Sequence, residues 1–116
     1  MALDNLQPLL QNFVNSTLDV EGAVLVSIDG LPLAHSDEDR VAAMGAAALT
    51  MGSRIVGELQ RGTLEQVLIK GGNGYVILVQ AGHDVVLEVI STDEGKLGLL
   101  LFEIKRVARE IGQSFR

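Results

Sequence analysis

The chain has 116 residues and carries nine Lys and Arg against fifteen Asp and Glu, a formal net charge of −6. Its 47% hydrophobic and 21% charged residues are typical of one folded domain and exclude a disordered chain. The acidic balance, with only three Phe and one Tyr, argues against a nucleic-acid partner. Phosphate contacts need basic groups, and unpaired bases need aromatic platforms.

Cysteine is absent, which excludes disulfides and thiolate sites. The first residues, Met-Ala-Leu-Asp, have neither the basic start nor the apolar core of an export signal. The longest nearly uncharged stretch, residues 41–53, is shorter than the roughly 20 apolar residues that a membrane span needs. We therefore expect a cytoplasmic protein with no membrane span.

The first half of the chain predicts a helix followed by two strands. Apolar residues recur at helical spacing over residues 3–17, with Pro8 in the opening turn, where its missing N–H costs no helical hydrogen bond. The run 23–28 ends at Asp29-Gly30, a strong hairpin signal, and residues 31–35 continue as a second strand. Because residues 23–26 show no polar alternation, we expect the first strand in mid-sheet, covered on both faces.

The second half predicts a long helix, three strands and a final helix. Ser36 and Asp39 form a possible capping box for a helix that runs to about Gln60 and stops at Gly62. Strands are predicted at 63–70, 75–80 and 85–90, as a meander. Thr92 or Asp93 is expected to open the last helix, which is apolar on one side. The order αββαβββα predicts an α/β (α+β) domain, a three-layer α/β/α arrangement with a five-stranded antiparallel sheet.

The sequence offers no catalytic constellation, so we predict neither enzyme activity nor a cofactor or metal. His35 and His83 lack metal-ligand spacing to each other or to a carboxylate pair, and both are expected at the surface. The glycine-rich segment 71–74 joins two predicted strands, whereas a phosphate-binding loop joins a strand to a helix. Gly95-Lys96 ends like a nucleotide-binding loop, but Leu97 stands where Ser or Thr is required.

The central helix is the most informative segment. One broad face is apolar and is expected to cover the sheet, and it includes Met44, Gly45, Leu49, Ile55 and Leu59. The opposite side, which should be charged in a monomer, is instead rich in alanine and threonine. Apolar residues on all sides indicate burial on all sides, although alanine on a solvated helix face is the simpler alternative.

The predicted strand 63–70 supports the first interpretation. If it forms the edge of the sheet, its unpaired backbone groups can pair with another chain. We therefore predict a twofold homodimer in which this helix and this strand meet their symmetry mates. The predicted interface residues are Met44, Ala47, Ala48, Met51, Ile55, Leu64, Gln66 and Leu68.

Several strings resemble the roadblock/dynein light chain domain family over nearly the whole chain. They are GAVLVSIDGLPLA at 22–34, the alanine-rich helix, the Gly74-Tyr75 strand opening and KLGLL at 96–100. The resemblance implies a roadblock-like (profilin-like) fold with strand order 2-1-5-4-3, the long helix on one face and the terminal helices on the other. It also implies dimerisation through that helix and the third strand.

The same resemblance implies regulation of a small Ras-like GTPase, often by raising GTP hydrolysis. The paired helices would form the platform for the GTPase, with Ala43, Thr50 and Arg54 as predicted partner-binding residues. An arginine supplied in trans, Arg54 or Arg61, is the alternative mechanism to a purely conformational one.

Two other functions stay open. The first is a dimeric adaptor that tethers a GTPase, motor or signalling complex without changing its chemistry. The second, a small-ligand sensor, has the least support, because no polar cluster converges on an apolar pocket in the sequence.

Overall fold

Three helices and a β-sheet form the chain, of which the computed structural model describes residues 2–29, 32–35 and 42–114. The elements in chain order are α1 (Ala2–Ser16), β1 (Val20–Ser27), β2 (Pro32–His35), α2 (Ala42–Glu58), β3 (Gln66–Gly71), β4 (Gly74–Gln80), β5 (Val85–Ser91) and α3 (Leu97–Gln113). Pro8 does not end α1, as predicted, but the helix begins at Ala2, so Pro8 lies in its second turn and not in the opening turn. No helix among these residues is both long and apolar enough to span a bilayer.

The sheet has the order β2-β1-β5-β4-β3, and every neighbouring pair is antiparallel. Strands β1, β3, β4 and β5 are six to eight residues long, whereas β2 is a four-residue strand at one edge. The other edge is β3. Strand β1 lies inside the sheet with Ala23 to Val26 buried, which confirms the expectation from its unbroken apolar run.

Strand alternation divides the core into two layers. On one face, Ala23, Leu25, Ile77, Leu87 and Val89 belong to the large cluster formed with α1 and α3. On the other face, α2 covers the sheet in two smaller clusters. Ala46 packs with Val24 and Val26, and Leu49 packs with Leu78 and Val86. The predicted α+β architecture, with helices on both faces of the sheet, is thereby confirmed.

Helix α3 buries the side that its periodicity predicts. Its buried residues are Leu100, Ile104, Val107, Ala108 and Ile111. The helix begins later than predicted, however, since Lys96 is its N-cap and the cap makes no side-chain hydrogen bond. Thr92 does not open the helix: its backbone N–H donates to the Asp19 carbonyl (2.9 Å) and its hydroxyl to Asp19 Oδ1 (3.2 Å), which tie it to the connection between α1 and β1.

The end of α2 also differs from the prediction. Gly62 is not the stop, because the helix ends at Glu58 and Gln60 takes the left-handed conformation, with φ of 56°. The N–H of Gln60 donates to the Gly57 carbonyl (3.1 Å) and the N–H of Arg61 to the Val56 carbonyl (2.9 Å). This is the Schellman pattern, formed here around a glutamine instead of the usual glycine.

The start of β3, the β3–β4 hairpin and the segment before α2 were also predicted from the sequence. Strand β3 begins at Gln66 rather than at residue 63, and Leu64 packs beneath α2 instead. Gly71 pairs with Gly74, so the glycine-rich segment is a tight hairpin between two strands, as predicted. The Asp29-Gly30 turn is only partly described, and the Ser36–Asp39 capping box lies outside the described residues.

Candidate functional site

Helix α2 presents an apolar outer surface to solvent. Met44, Met51, Ile55 and Leu59 are 69%, 59%, 51% and 63% exposed. The expectation that these four residues cover the sheet is therefore wrong, whereas Gly45 and Leu49 of the same predicted face are buried against the sheet. Gly45 and Ala46 are small, which lets α2 lie close to the sheet.

Strand β3 continues this apolar surface at the sheet edge. A Cβ added at Gly52 would lie 3.2 Å from Leu64 Cδ2 and 3.3 Å from Val67 Cγ2, so α2 and β3 are in direct contact. Ile69, which shares a sheet face with Val67, is 46% exposed. We call this surface, formed by the exposed residues Met44, Ala47, Met51, Ile55, Leu59 and Ile69, the α2–β3 surface.

The predicted interface residues fall into two groups. Met44, Ala47, Met51 and Ile55 are exposed on α2, whereas Ala48 and Leu64 are half-buried against Leu49 and its neighbours. Gln66 and Leu68 pair with Val79 and Ile77, whose side chains face α1 and α3, so they lie on the sheet face opposite to α2. The roles of all eight stay predictions.

Of the predicted partner-binding residues, Thr50 and Arg54 are exposed on α2, and the side chain of Ala43 lies outside the described part. Thr50 and Arg54 line a shallow cavity of about 330 Å³ between α2 and the end of β1, together with Ile28 and Asp29. Within the described residues Arg54 forms no salt bridge, so its guanidinium is available to an acidic group of a partner.

Glu88 is a buried carboxyl that sequence reasoning missed. It is 4% exposed, lies on the α2 face of β5, and its Oε1 has no hydrogen-bond partner in the described structure. Burial raises the pKa of this carboxyl from 4.5 to about 7. In the sequence, Glu88 is a single Glu inside the apolar run 85–90. The sequence does not show which helix covers this strand, so the burial of Glu88 could not be predicted.

The described residues bring together no catalytic or metal-binding cluster. No group of three or more His, Cys, Asp or Glu among them could hold a metal ion. His83 is exposed in the β4–β5 turn, where its backbone carbonyl accepts a hydrogen bond from Gln80 Nε2 (2.7 Å). The side chain of His35 lies outside the described residues. The most extended exposed apolar feature among the described residues is the α2–β3 surface.

Comparisons with known proteins agree with this architecture. The model of the Roadblock/LC7 domain matches residues 6–91. The uncharacterized protein MJ1340 of Methanocaldococcus jannaschii is 34% identical over 107 residues, which cover 88% of this chain and 93% of that protein.

Two solved structures share the fold. A Roadblock/LC7 domain from Streptomyces avermitilis has a TM-score of 0.87 at 21% identity, and covers 94% of this chain and 96% of its own. The gliding protein MglB from Thermus thermophilus has a TM-score of 0.85 at 16% identity, with 97% of this chain and 90% of its own covered.

A sheet covered by α2 on one face and by both terminal helices on the other defines a small α+β domain of roadblock/profilin-like architecture. The chain belongs to the Roadblock/LC7 domain family.

Proposed function

We propose that this chain forms a twofold homodimer through α2 and β3, and that the dimer binds a small Ras-like GTPase and promotes its GTP hydrolysis. The observation that carries the proposal is the α2–β3 surface. Large apolar side chains that are half or more exposed along one helix, continued by an exposed isoleucine at a sheet edge, are typical of a protein interface.

The geometry of that surface supports a dimer. Edge strand β3 has backbone N–H and C=O groups that no other strand of the described residues pairs. A twofold axis beside β3 would let it pair with its symmetry mate and bring the two α2 helices together. Burying side chains such as Met51 and Ile55 contributes on the order of 1–2 kcal/mol each, since both are already partly covered in one chain.

Sedimentation at micromolar concentration tests the dimer. The native chain is expected to sediment at twice its 12.4 kDa protomer mass. Ala47→Glu places a charge in the middle of the α2–β3 surface and is expected to yield monomers. Leu99→Glu, at a 64% exposed leucine on α3, is the matched control and is expected to leave the dimer intact. A native monomer, or an unchanged mass in Ala47→Glu, would remove α2 from the interface.

Family membership and the cavity beside α2 support a GTPase partner. The resemblance implies that many prokaryotic members of the family regulate a small Ras-like GTPase of the gliding-motility type. In this chain Thr50, Arg54 and Asp29 offer polar groups beside the apolar surface, which suits a partner that has both apolar and charged contacts. Hydrolysis would be promoted by holding the switch segments of the GTPase so that its own residues and Mg²⁺ stabilise the transferring phosphate.

Single-turnover phosphate release from a candidate GTPase tests the activity. Acceleration by the native dimer is expected, with a loss in Thr50→Glu, whereas binding without acceleration would identify an adaptor. Arg54→Ala and Arg61→Ala test a catalytic arginine, because such a residue contributes about 10³ to 10⁵ in rate. We expect each variant to lose less than tenfold, since both arginines are exposed and a conformational mechanism requires neither.

A further inference from the structure

Glu88 occupies a position where a charged group is costly. It lies on β5, the central strand, which pairs with β1 on one side and β4 on the other. Its cross-strand neighbours are Val24 and Leu78, which pack beneath α2. Its carboxyl is thus enclosed between an apolar sheet face and the helix that bears the α2–β3 surface.

The contact between Glu88 and α2 is direct. A Cβ added at Gly45 would overlap Oε1 of Glu88 and lie 2.9 Å from its Cδ, so the carboxyl fills the space that a side chain at Gly45 would need. Within the described residues Oε1 receives no hydrogen bond, and an ionised oxygen there would be desolvated without a donor.

No described charge lies in position to compensate an ionised Glu88. On α2 the charged residues stand at its C-terminal end, nine or more residues beyond Gly45, a distance of about 14 Å along the helix. Tyr75 of β4 packs on the opposite sheet face, against α1 and α3. The strands that pair with β5 and the helix that covers Glu88 have four titratable or charged groups: Glu21 of β1, Tyr75 of β4, and Arg54 and Glu58 of α2; His35 lies on β2, beyond β1.

Glu21 is exposed to solvent. The backbone of His35 pairs with Val24 of β1, and Val24 in turn pairs with Glu88, so His35 lies two strands away from Glu88. The side chain of His35, and residues 36–41 before α2, lie outside the described structure.

We propose that Glu88 is a proton-controlled latch for α2, which packs firmly on the sheet while the carboxyl is neutral and loosens when the carboxyl ionises. The change would act within one chain, so the latch does not depend on the proposed dimer or GTPase. Its consequence would be that the α2–β3 surface is best ordered under slightly acidic conditions.

The direction follows from linkage. Burial raises the pKa of Glu88 from 4.5 to about 7, so between these values the packed state holds a proton that the opened state releases. The stabilisation of packed α2 is therefore complete below pH 4.5 and is lost as pH rises through about 7. Between pH 5.5 and 8.5 the linkage relation gives an increase of about thirtyfold in the opening equilibrium of α2.

Hydrogen exchange followed by mass spectrometry tests the latch. After correction for the intrinsic pH dependence of exchange, protection in peptides of α2 should fall at least about tenfold from pH 5.5 to 8.5, with little change in α3. Glu88→Gln, which cannot ionise, should abolish this fall. Glu103→Gln is the matched control at a half-buried carboxylate of α3, and it should retain the fall.

Two further measurements keep the inference falsifiable. Exchange repeated at tenfold different protein concentrations separates the latch from dimer dissociation, because an effect within one chain does not depend on concentration. Carbon NMR titration of the native side-chain carboxyls should show Glu88 titrating near pH 7, which needs no variant to fold. A Glu88 titration below pH 5, or the same exchange profile in the native chain and Glu88→Gln, would overturn the proposal.

Discussion

Gly45 packs closely against Glu88, and this packing predicts that Gly45→Ala destabilises the protein although helix propensity alone predicts the opposite. Gly→Ala in a helix interior ordinarily stabilises a protein by about 1 kcal/mol. At Gly45, however, the new methyl group would overlap the Glu88 carboxyl and lie 3.2 Å from Cδ2 of Leu78. Since the side chain it displaces is buried, relieving the overlap must shift the carboxyl or the helix.

The magnitude follows from these two opposing effects. Overpacking in a well-packed core costs about 1–3 kcal/mol, and we expect Gly45→Ala near the upper end because the Glu88 carboxyl that it overlaps is buried. After subtraction of the gain in helix propensity, we expect the free energy of unfolding to fall by about 2 kcal/mol. Gly57→Ala in the same helix meets no atom within 4 Å, so it should stabilise by about 0.5–1 kcal/mol.

Urea unfolding followed by circular dichroism measures both changes, at one pH and one protomer concentration because a dimer would make stability concentration-dependent. In a Glu88→Ala background the overlap is absent, and Gly45→Ala should then become neutral or stabilising. This change of sign would be a coupling energy between positions 45 and 88, as expected for residues in contact. A native-like or raised stability of Gly45→Ala alone would refute the packing described between α2 and β5.

Three other predictions concern different parts of the molecule. Gly74→Ala should lower the free energy of unfolding by more than about 2 kcal/mol, because Gly74 has φ of 147° and a Cβ there would overlap a β5 carbonyl oxygen. In the same urea assay the control Gly72→Ala, whose Cβ meets nothing within 4 Å, should change it by less than about 1 kcal/mol. Phe102→Ser on the outer side of α3, 65% exposed, should cost less than about 1 kcal/mol in thermal unfolding. Ile104→Ala, at a fully buried position about half a turn further along, should cost about 2–5 kcal/mol. The difference in unfolding free energy between the native chain and Glu88→Gln should shift by about 3 kcal/mol against the native chain as pH rises from 4.5 to above 7, as measured by urea unfolding across that range.

The buried face of a helix can be predicted from the sequence only when its buried and exposed residues differ in type. Helix α3 alternates leucine and isoleucine with charged residues, so its buried face follows directly from the spacing. Helix α2 gives no such contrast, because Ala46 is buried and Ala47 is exposed although the two residues are identical. Burial of glycine and alanine there depends on how closely the helix approaches the sheet, which only the folded structure specifies.

The boundaries and the candidate site show the same limit. The end of α2 at a left-handed Gln60 overrides the preference for glycine, and the start of α3 is delayed by the hydrogen bonds of Thr92 to Asp19, a residue distant in sequence. The apolar character of α2 could be predicted from residue types alone. The burial of Glu88 could not, because it depends on register and on a glycine in another element.

The position of β5 in the sheet implies a gradient of tolerance to sequence change. Every residue of β5 has a strand on either side and a helical layer above or below, so a one-residue insertion would exchange the residues of its two faces and disrupt both helical layers at once. The outermost strands β2 and β3 have only one such neighbour each. Divergence among homologues should therefore concentrate at the two rims of the sheet, and new partner specificities can arise there without disturbing the centre of the molecule.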